Sequence, residues 1–416
     1  VSDTFINATD YKLEKLELVP KYGTGEPLDI ADIMLELHFY EDIYAPFMNG
    51  HVVLSDAGGM AGLLPITGEE DINISVKSPG EDPIELEMRV FRMDQRRELT
   101  DTLQQYTLHF CSKEQIKNAQ TECAFGFNGE LLSDMAQSVY DQFLTLGKDF
   151  DVEPTLLPHR MVSSNFPPSE FLMRMANRAQ SATYPSGSDY FFYEDRDGFH
   201  FRSIQSLMEE IGVIKDDEAR EIIKWQISDL SGGDTGAGNS SMRRFTYGSD
   251  IDAIEKMVDG TLAQRLISFD PIQGGVTVTD KTATEAFGEV STLDAEVPFS
   301  PMAEAEIMKP EQAIRLIISD ISEPFTNNKD EFLLTKRVQD GLLRNSLLDV
   351  ELPGNTFRKV GDVVDLRMPA FNHSTDQEDE FNSSNALITA INHAFTKTTY
   401  LQTIQLAKDS FAKAVE

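Results

Sequence analysis

Apolar residues recur at every second position along three early stretches: Ile72, Ile74 and Val76; Ile84, Leu86, Met88 and Val90; Tyr106, Leu108 and Phe110. A period of two turns one face of each stretch toward a core and the other toward water, the pattern of a half-buried strand. Turn clusters such as Ser78-Pro79-Gly80 separate the runs. Half-buried strands joined by short turns imply an antiparallel barrel or sandwich, and residues 1–113 are expected to form a first β-barrel.

From residue 114 to 221 the period changes, and a small α/β domain is expected. Leu131, Met135, Val139 and Phe143 fall four apart on one helix face, with Gly147 placed to end the helix. Pro167-Pro168-Ser169 opens a second helix whose inner face carries Phe171, Met175 and Ala179. Tyr190-Phe191-Phe192-Tyr193-Glu194, a turn over 195–198, and Phe199-His200-Phe201 read as a hairpin. Its aromatic residues read as core rather than as a ligand cage.

The later part of the chain echoes the first. Gly50, the strand Val52-Val53-Leu54, Asp56 and Gly58-Gly59 have a counterpart in Gly260, Leu266-Ile267, Asp270 and Gly274-Gly275. Thr67-Gly68-Glu69-Glu70-Asp71-Ile72 finds a counterpart in Lys359-Val360-Gly361-Asp362-Val363-Val364, and Tyr106-Thr107-Leu108-His109-Phe110 is echoed by Thr403-Ile404-Gln405-Leu406 after Tyr400-Leu401. Three matches in one order predict a second barrel built from 222–285 and 346–416. An insertion over 286–345 interrupts it, with a Pro-rich acidic stretch from Val297-Pro298 to Pro310. A helix is expected from Lys329 to Leu347, its apolar face being Leu334, Val338, Leu342 and Ser346. The polar run from Asn372 to Asn385 is expected to join two barrel strands at the surface. The fold class is therefore mainly β with α+β insertions: two homologous antiparallel β-barrels plus inserted α/β domains.

Chemistry is sparse over these 416 residues. The seven histidines (His38, His51, His109, His159, His200, His373 and His393) form no H-E-x-x-H and no pairing with cysteine of the kind that holds zinc. Cys111 and Cys123 form no C-x-x-C pair and read as small core residues in a cytosolic folding compartment. Gly23-Thr24-Gly25 lacks the third glycine of a dinucleotide fingerprint. Gly147-Lys148 lacks the upstream glycine and the hydroxyl residue of a phosphate loop. No G-x-S-x-G elbow occurs. Acids such as Glu69-Glu70-Asp71 and the run Asp376 to Glu380 read as solvated charge. No catalytic, cofactor-binding or metal-binding residue is assigned, and the chain does not read as an enzyme.

The charge balance excludes one more class. Asp and Glu number 70 against 36 Lys and Arg, a net −34, and such a surface repels nucleic acid. The surplus reads either as solubility or salt adaptation, or as a surface past which a polyanion slides. Within this balance Arg89, Arg92, Arg96 and Arg97 form a basic cluster on or beside a strand, suited to local acids or an acidic neighbouring subunit. No run of about 18 apolar residues exists, so no membrane insertion is expected, and Val1 to Phe5 do not resemble a signal peptide.

Three stretches carry a resemblance to the baseplate hub proteins of contractile-tailed bacteriophages of the T-even type. The first is Phe39-Tyr40-Glu41-Asp42-Ile43-Tyr44-Ala45-Pro46-Phe47-Met48-Asn49-Gly50 with Leu64-Pro65-Ile66-Thr67-Gly68-Glu69-Glu70. The second is Phe166-Pro167-Pro168-Ser169-Glu170-Phe171-Leu172 leading into the aromatic hairpin. The third is Val350-Glu351-Leu352-Pro353-Gly354-Asn355 with Val360-Gly361-Asp362-Val363-Val364, then Ile388-Thr389-Ala390-Ile391-Asn392-His393. The resemblance implies a ring-shaped homotrimer in the virion tail baseplate, assembled in the host cytoplasm, that joins a sixfold tail-tube protein to a threefold central spike protein. It implies no cofactor, no specific nucleic-acid binding and a lumen through which DNA passes. Two similar barrels in each of three chains give six similar units around an axis, while insertions present once per chain keep the threefold. The related hub segment of type VI secretion spikes continues into a needle, which is not expected here, nor is a recognisable cell-wall hydrolase domain. Alternatives are the hub of a secretion or contractile injection machine, or a tail-associated peptidoglycan hydrolase.

Overall fold

The computed structural model describes residues 7–21, 25–60, 66–184, 188–213, 221–225, 240–248, 253–271, 274–299, 306–318, 329–344, 346–370, 378–379 and 381–413. The alternating stretches near the start become strands: β1 (Lys12–Val19), β2 (Met34–Asp42), β3 (Asn49–Asp56), β4 (Asp71–Lys77), β5 (Ile84–Thr100) and β6 (Leu103–Ser112). They lie side by side as β2-β3-β6-β5-β4-β1, each pair antiparallel. Ile72, Ile74, Val76, Met88, Leu108 and Phe110 all point into one core. Burial of each such side chain contributes on the order of 2 kcal/mol, which fixes the register because a one-residue slip would turn the whole set outward.

The next segment holds α1 (Lys113–Gln120), β7 (Gly126–Leu131), α2 (Leu132–Val139), β8 (Asp149–Val152), β9 (Pro158–Val162), α3 (Pro168–Ala176), β10 (Tyr190–Glu194), β11 (Gly198–Ser203) and α4 (Ile204–Val213). Met135 and Val139 are buried, and α2 runs on through a single π turn to Leu144. Gly147 therefore sits beyond the helix end, in the turn before β8, with φ +116°. Pro168 opens α3, where its missing N–H is not needed. β10 and β11 form the expected hairpin, with β8 added in parallel along β11. Phe171, Phe192, Phe199, Phe201 and Tyr140 pack together, so the aromatic run is core.

A second set of strands follows: β12 (Ile222–Trp225) and β13 (Arg244–Tyr247), then, after an excursion, β17 (Ser346–Pro353), β18 (Val363–Arg367), β19 (Ser384–Thr396) and β20 (Tyr400–Lys408). The excursion holds α5 (Ala253–Asp259), β14 (Ala263–Phe269), β15 (Val276–Thr282), α6 (Ala283–Phe287), β16 (Ile314–Ile318) and α7 (Lys329–Leu343). The second set is ordered β13-β17-β20-β19-β18-β12. Taken along the chain, this is the order of the first set, strand for strand. Five of the six match in sense as well, whereas β12 runs parallel to β18 and β1 runs antiparallel to β4.

The match extends to irregularities. β5 bulges between Val90 and Arg92 against β6, and β19 bulges between Ile388 and Ala390 against β20. Just before β4 and β18, Val90 N–H donates to the Glu70 carbonyl (2.9 Å) and Ile388 N–H to the Asp362 carbonyl (2.8 Å). Phe110 and Leu406, the last residues of the two stretches that echo each other in sequence, lie opposite Val90 and Ile388.

Other expectations are corrected. Gly260 and Asp270 do not correspond to Gly50 and Asp56: β14 and β15 pair with each other and with β16 in a separate sheet. The two stretches share only a local device, an Asp closing a tight Gly-containing turn, with Gly58 N–H on Asp56 Oδ1 and Gly274 N–H on the Asp270 carbonyl. Gly50 is also no turn glycine but lies inside β3. The second set thus lacks 263–282. Among the described residues neither set closes into a barrel: β2 pairs with β3 on one side and, on the other, with β19 of the second set, and β13 pairs with β17 alone. α7 ends at Leu343, and Ser346 starts β17; Leu334, Val338 and Leu342 are buried as expected. The run from Asn372 to Asn385 lies partly outside the described residues, and it joins β18 to its antiparallel neighbour β19.

Candidate functional site

The sequence motifs dissolve into structural roles. The Glu70 carboxylate is opposed by burial but accepts N–H groups from Thr67, Gly68 and Glu69, which hold it below the usual carboxylate range. Asp71 lies against Lys21 (2.9 Å) and Arg89 (2.6 Å). Lys148 is no phosphate lysine: it is clamped between buried Glu194 and Glu114. Burial pushes the Cys111 thiol up to about 12 and Cys123 up to about 11, so neither supplies a thiolate at neutral pH. Arg92 pairs with Asp94 (2.6 Å) and Arg96 donates to Gln104. Of the Asp376–Glu380 run, Glu378 pairs with Arg367 and Asp379 caps the turn at Phe381–Asn382; the rest lies outside the described residues, as does His373.

The histidines sort by environment. His200 stands 3.0 Å from Asp195; burial opposes its charge, but Asp151 and Asp195 together raise it to about 9. His38, His51 and His109 sit side by side across β2, β3 and β6, with ring centroids 4.8 and 5.8 Å apart. Burial and the two flanking imidazoles lower His51. Among the described residues no cluster of His, Cys, Asp and Glu is arranged to hold a metal. No helix among them is long and apolar enough to cross a membrane.

What the fold does build is a seam between its two strand sets. β19 lies antiparallel along β2, from Ala390 opposite Asp42 to Thr396 opposite Glu36. Phe39 of β2 stacks on His393 of β19 at 4.2 Å, and Phe395 and Tyr400 enter the first core while Ile43 enters the second. His393 is fully buried and so prefers to be neutral, although Glu41 stands 3.2 Å from its Nε2. Its Nδ1 meets the Tyr400 hydroxyl at 2.7 Å. Gln402 continues the chain to Tyr400 and to Arg358, which has no exposed surface and clasps Glu221 with two guanidinium nitrogens (2.7 and 2.5 Å). This polar layer locks two halves that are far apart in sequence into one orientation. Sequence reasoning missed it, although His393 interrupts an inward-facing Ile391–Phe395 alternation and could have been flagged there.

A second feature is a bare apolar face. On the sheet of β14, β15 and β16 one side buries Leu266 and turns Gln264 toward α7, where its amide donates to the Leu334 carbonyl. The other leaves Val276, Val278, Ile314, Leu316 and Ile318 at least half exposed.

No family model matches the chain. A probable baseplate hub protein of Vibrio phage KVP40 is 22% identical over 419 residues, covering 93% of this chain and 92% of that protein. Among solved structures, the tail protein from Neisseria meningitidis MC58 superposes with a TM-score of 0.56 at 8% identity, covering 96% of this chain and 97% of the other. The 43 kDa tail protein of prophage MuSo2 from Shewanella oneidensis gives 0.56 at 11% identity, covering 95% and 100%. The chain therefore has the fold of these tail proteins and is similar in sequence, along nearly its whole length, to a phage baseplate hub protein.

Proposed function

We propose that this protein is the structural hub of a contractile phage tail baseplate, three copies closing into a ring that adapts a sixfold tail tube to a threefold spike. The observation that carries the reading is the pair of strand sets of one topology joined edge to edge within a chain. Three such chains present six near-equivalent sets to the tube. The segment around β10 and β11 and the excursion around β14, present once per chain, keep the threefold for the spike. The likeness to a hub protein along nearly the full chain supports the same reading. The net charge of −34 suits a lumen past which DNA slides without adhering. In this role the protein resides in the virion tail, is assembled in the host cytoplasm, and turns over no substrate.

Native mass measurement at about 0.15 M salt, on the chain alone and with the cognate spike protein, tests the assembly. A threefold species in at least one mixture is expected; a monomer in both overturns the assignment, and six copies in one ring overturn the symmetry argument. Incubation with purified peptidoglycan is expected to release no more product than a heat-inactivated control.

A further inference from the structure

We propose that the outer edge of β5 beyond Val90 pairs antiparallel with β13 of a second copy of this chain, repeating between copies the seam that β19 and β2 make within one. The proposal rests on the ring reading above and names its contact. Matched bulges make Val90 equivalent to Ile388, so the part of β5 from Arg92 onward corresponds to the part of β19 from Ala390 onward. In β19 that part has β20 on one side and β2 on the other. In β5 it has β6 on one side, and among the described residues no strand on the other. The partner position is open as well. Opposite β17, Val350 faces Phe245 and Leu348 faces Tyr247; opposite β3, the equivalent Val52 and Gly50 face Leu37 and Phe39. β13 thus occupies the place of β2, but among the described residues it pairs with β17 alone.

Among the described residues each chain therefore carries one unfilled copy of each half of the seam it has already formed once. Open edges of this kind are templates for strand addition. Exposed apolar side chains are found at both of these edges, as they are elsewhere on the surface. Phe91 and Leu99 on β5 and Tyr247 on β13 are about half exposed (47, 49 and 51%), whereas Phe39, the equivalent of Tyr247, is fully buried against His393. Arg92, Arg96 and Arg97 lie along the same open edge, placing cations where two strongly acidic chains would meet. The contact is heterologous, so it closes into a ring only if the rotation between copies matches that between the two sets.

The register follows from the internal seam, where His38 faces Ala394. Their equivalents are Thr246 and Arg97, with an extra bulge at Gln95 (φ 53°) leaving slack nearby. A full-length Arg97→Cys/Thr246→Cys variant treated with a short bismaleimide should yield linked dimers and trimers on a denaturing gel, and each single variant should yield none. The native Cys111 and Cys123 are buried and stay silent. Threefold particles without cross-links overturn the pairing and leave the ring standing. Absence of any threefold species, with or without spike, overturns the ring reading itself. Links running beyond three chains support the pairing and overturn closure. A second variant reads the backbone. Gly248 N–H donates to the Leu347 carbonyl, so by alternation the Tyr247 N–H points to the open side. Tyr247→Pro should abolish the threefold species with the melting temperature unchanged, and assembly at wild-type level in that variant overturns the proposal.

Discussion

Arg358 divides its guanidinium between the Glu221 carboxylate, the Pro353 carbonyl and the Gln402 amide oxygen, all in the interior. Truncation would strand a nearly buried carboxylate and an amide acceptor, a change that costs about 3–5 kcal/mol where a buried pair loses one member. We predict a loss of that order for Arg358→Met in urea denaturation, with Arg358→Met/Glu221→Gln regaining part of it. His200 gives a pH signature. Its folded value is raised to about 9 against 6.5 unfolded, so its contribution is complete below about pH 6.5 and disappears as pH rises through 9. The stability gap between wild type and His200→Gln should therefore shrink between pH 6 and pH 9; a gap that is constant would show that Asp151 and Asp195 do not hold the charged imidazole. At this scale the sequence was least informative. It could place cysteines and aromatics in cores by type. It could not join Arg358 to Glu221, 137 residues away, because nothing local to either residue encodes the contact.

Gly50 and Phe110 form a pair across β3 and β6, and their equivalents across β17 and β20 are Leu348 and Leu406. One strand set fills the position with nothing and a ring, the other with two middle-sized side chains. A Cβ at Gly50 would overlap the Phe110 ring and the His38 carbonyl. We predict that Gly50→Ala lowers stability by about 1–3 kcal/mol, the range for overpacked cores, and that adding Phe110→Leu returns a measurable share in thermal melts. No recovery would mean that the His38 carbonyl, not the ring, sets the limit. β4, β5 and β6 were legible because a period of two is local and repeated. The assignment of β14 and β15 to the second set went wrong for the same reason. A turn glycine, an apolar strand and an Asp-closed turn are also local, and they say nothing about which sheet the strand joins. Only the matches that carried register, Glu70 with Asp362 and Phe110 with Leu406, proved equivalent.

The whole molecule sets charge against edges. Each chain carries −34; in the proposed ring three chains carry three times that, and the repulsion has to be outweighed there by the proposed backbone pairing and apolar contact. The acidity was plain in the sequence, and two of its three internal matches fall at equivalent positions of the two strand sets. Which edges remain open was not plain there, because it depends on β19 reaching past its own set to β2. The balance predicts an inverted salt response. At about 0.01 M salt the Debye length is roughly 30 Å, and like charges on neighbouring copies feel one another; near 0.15 M it falls to about 8 Å. Sedimentation velocity should therefore show the threefold species growing as salt rises over this range, the reverse of an assembly held by ion pairs. Arg96→Glu/Arg97→Glu removes cations from the open edge of β5 without touching a core, and it should shift the transition to higher salt while leaving the unfolding midpoint in place. A threefold species that weakens steadily with added salt would mean that ion pairs, not strand edges, hold the copies together.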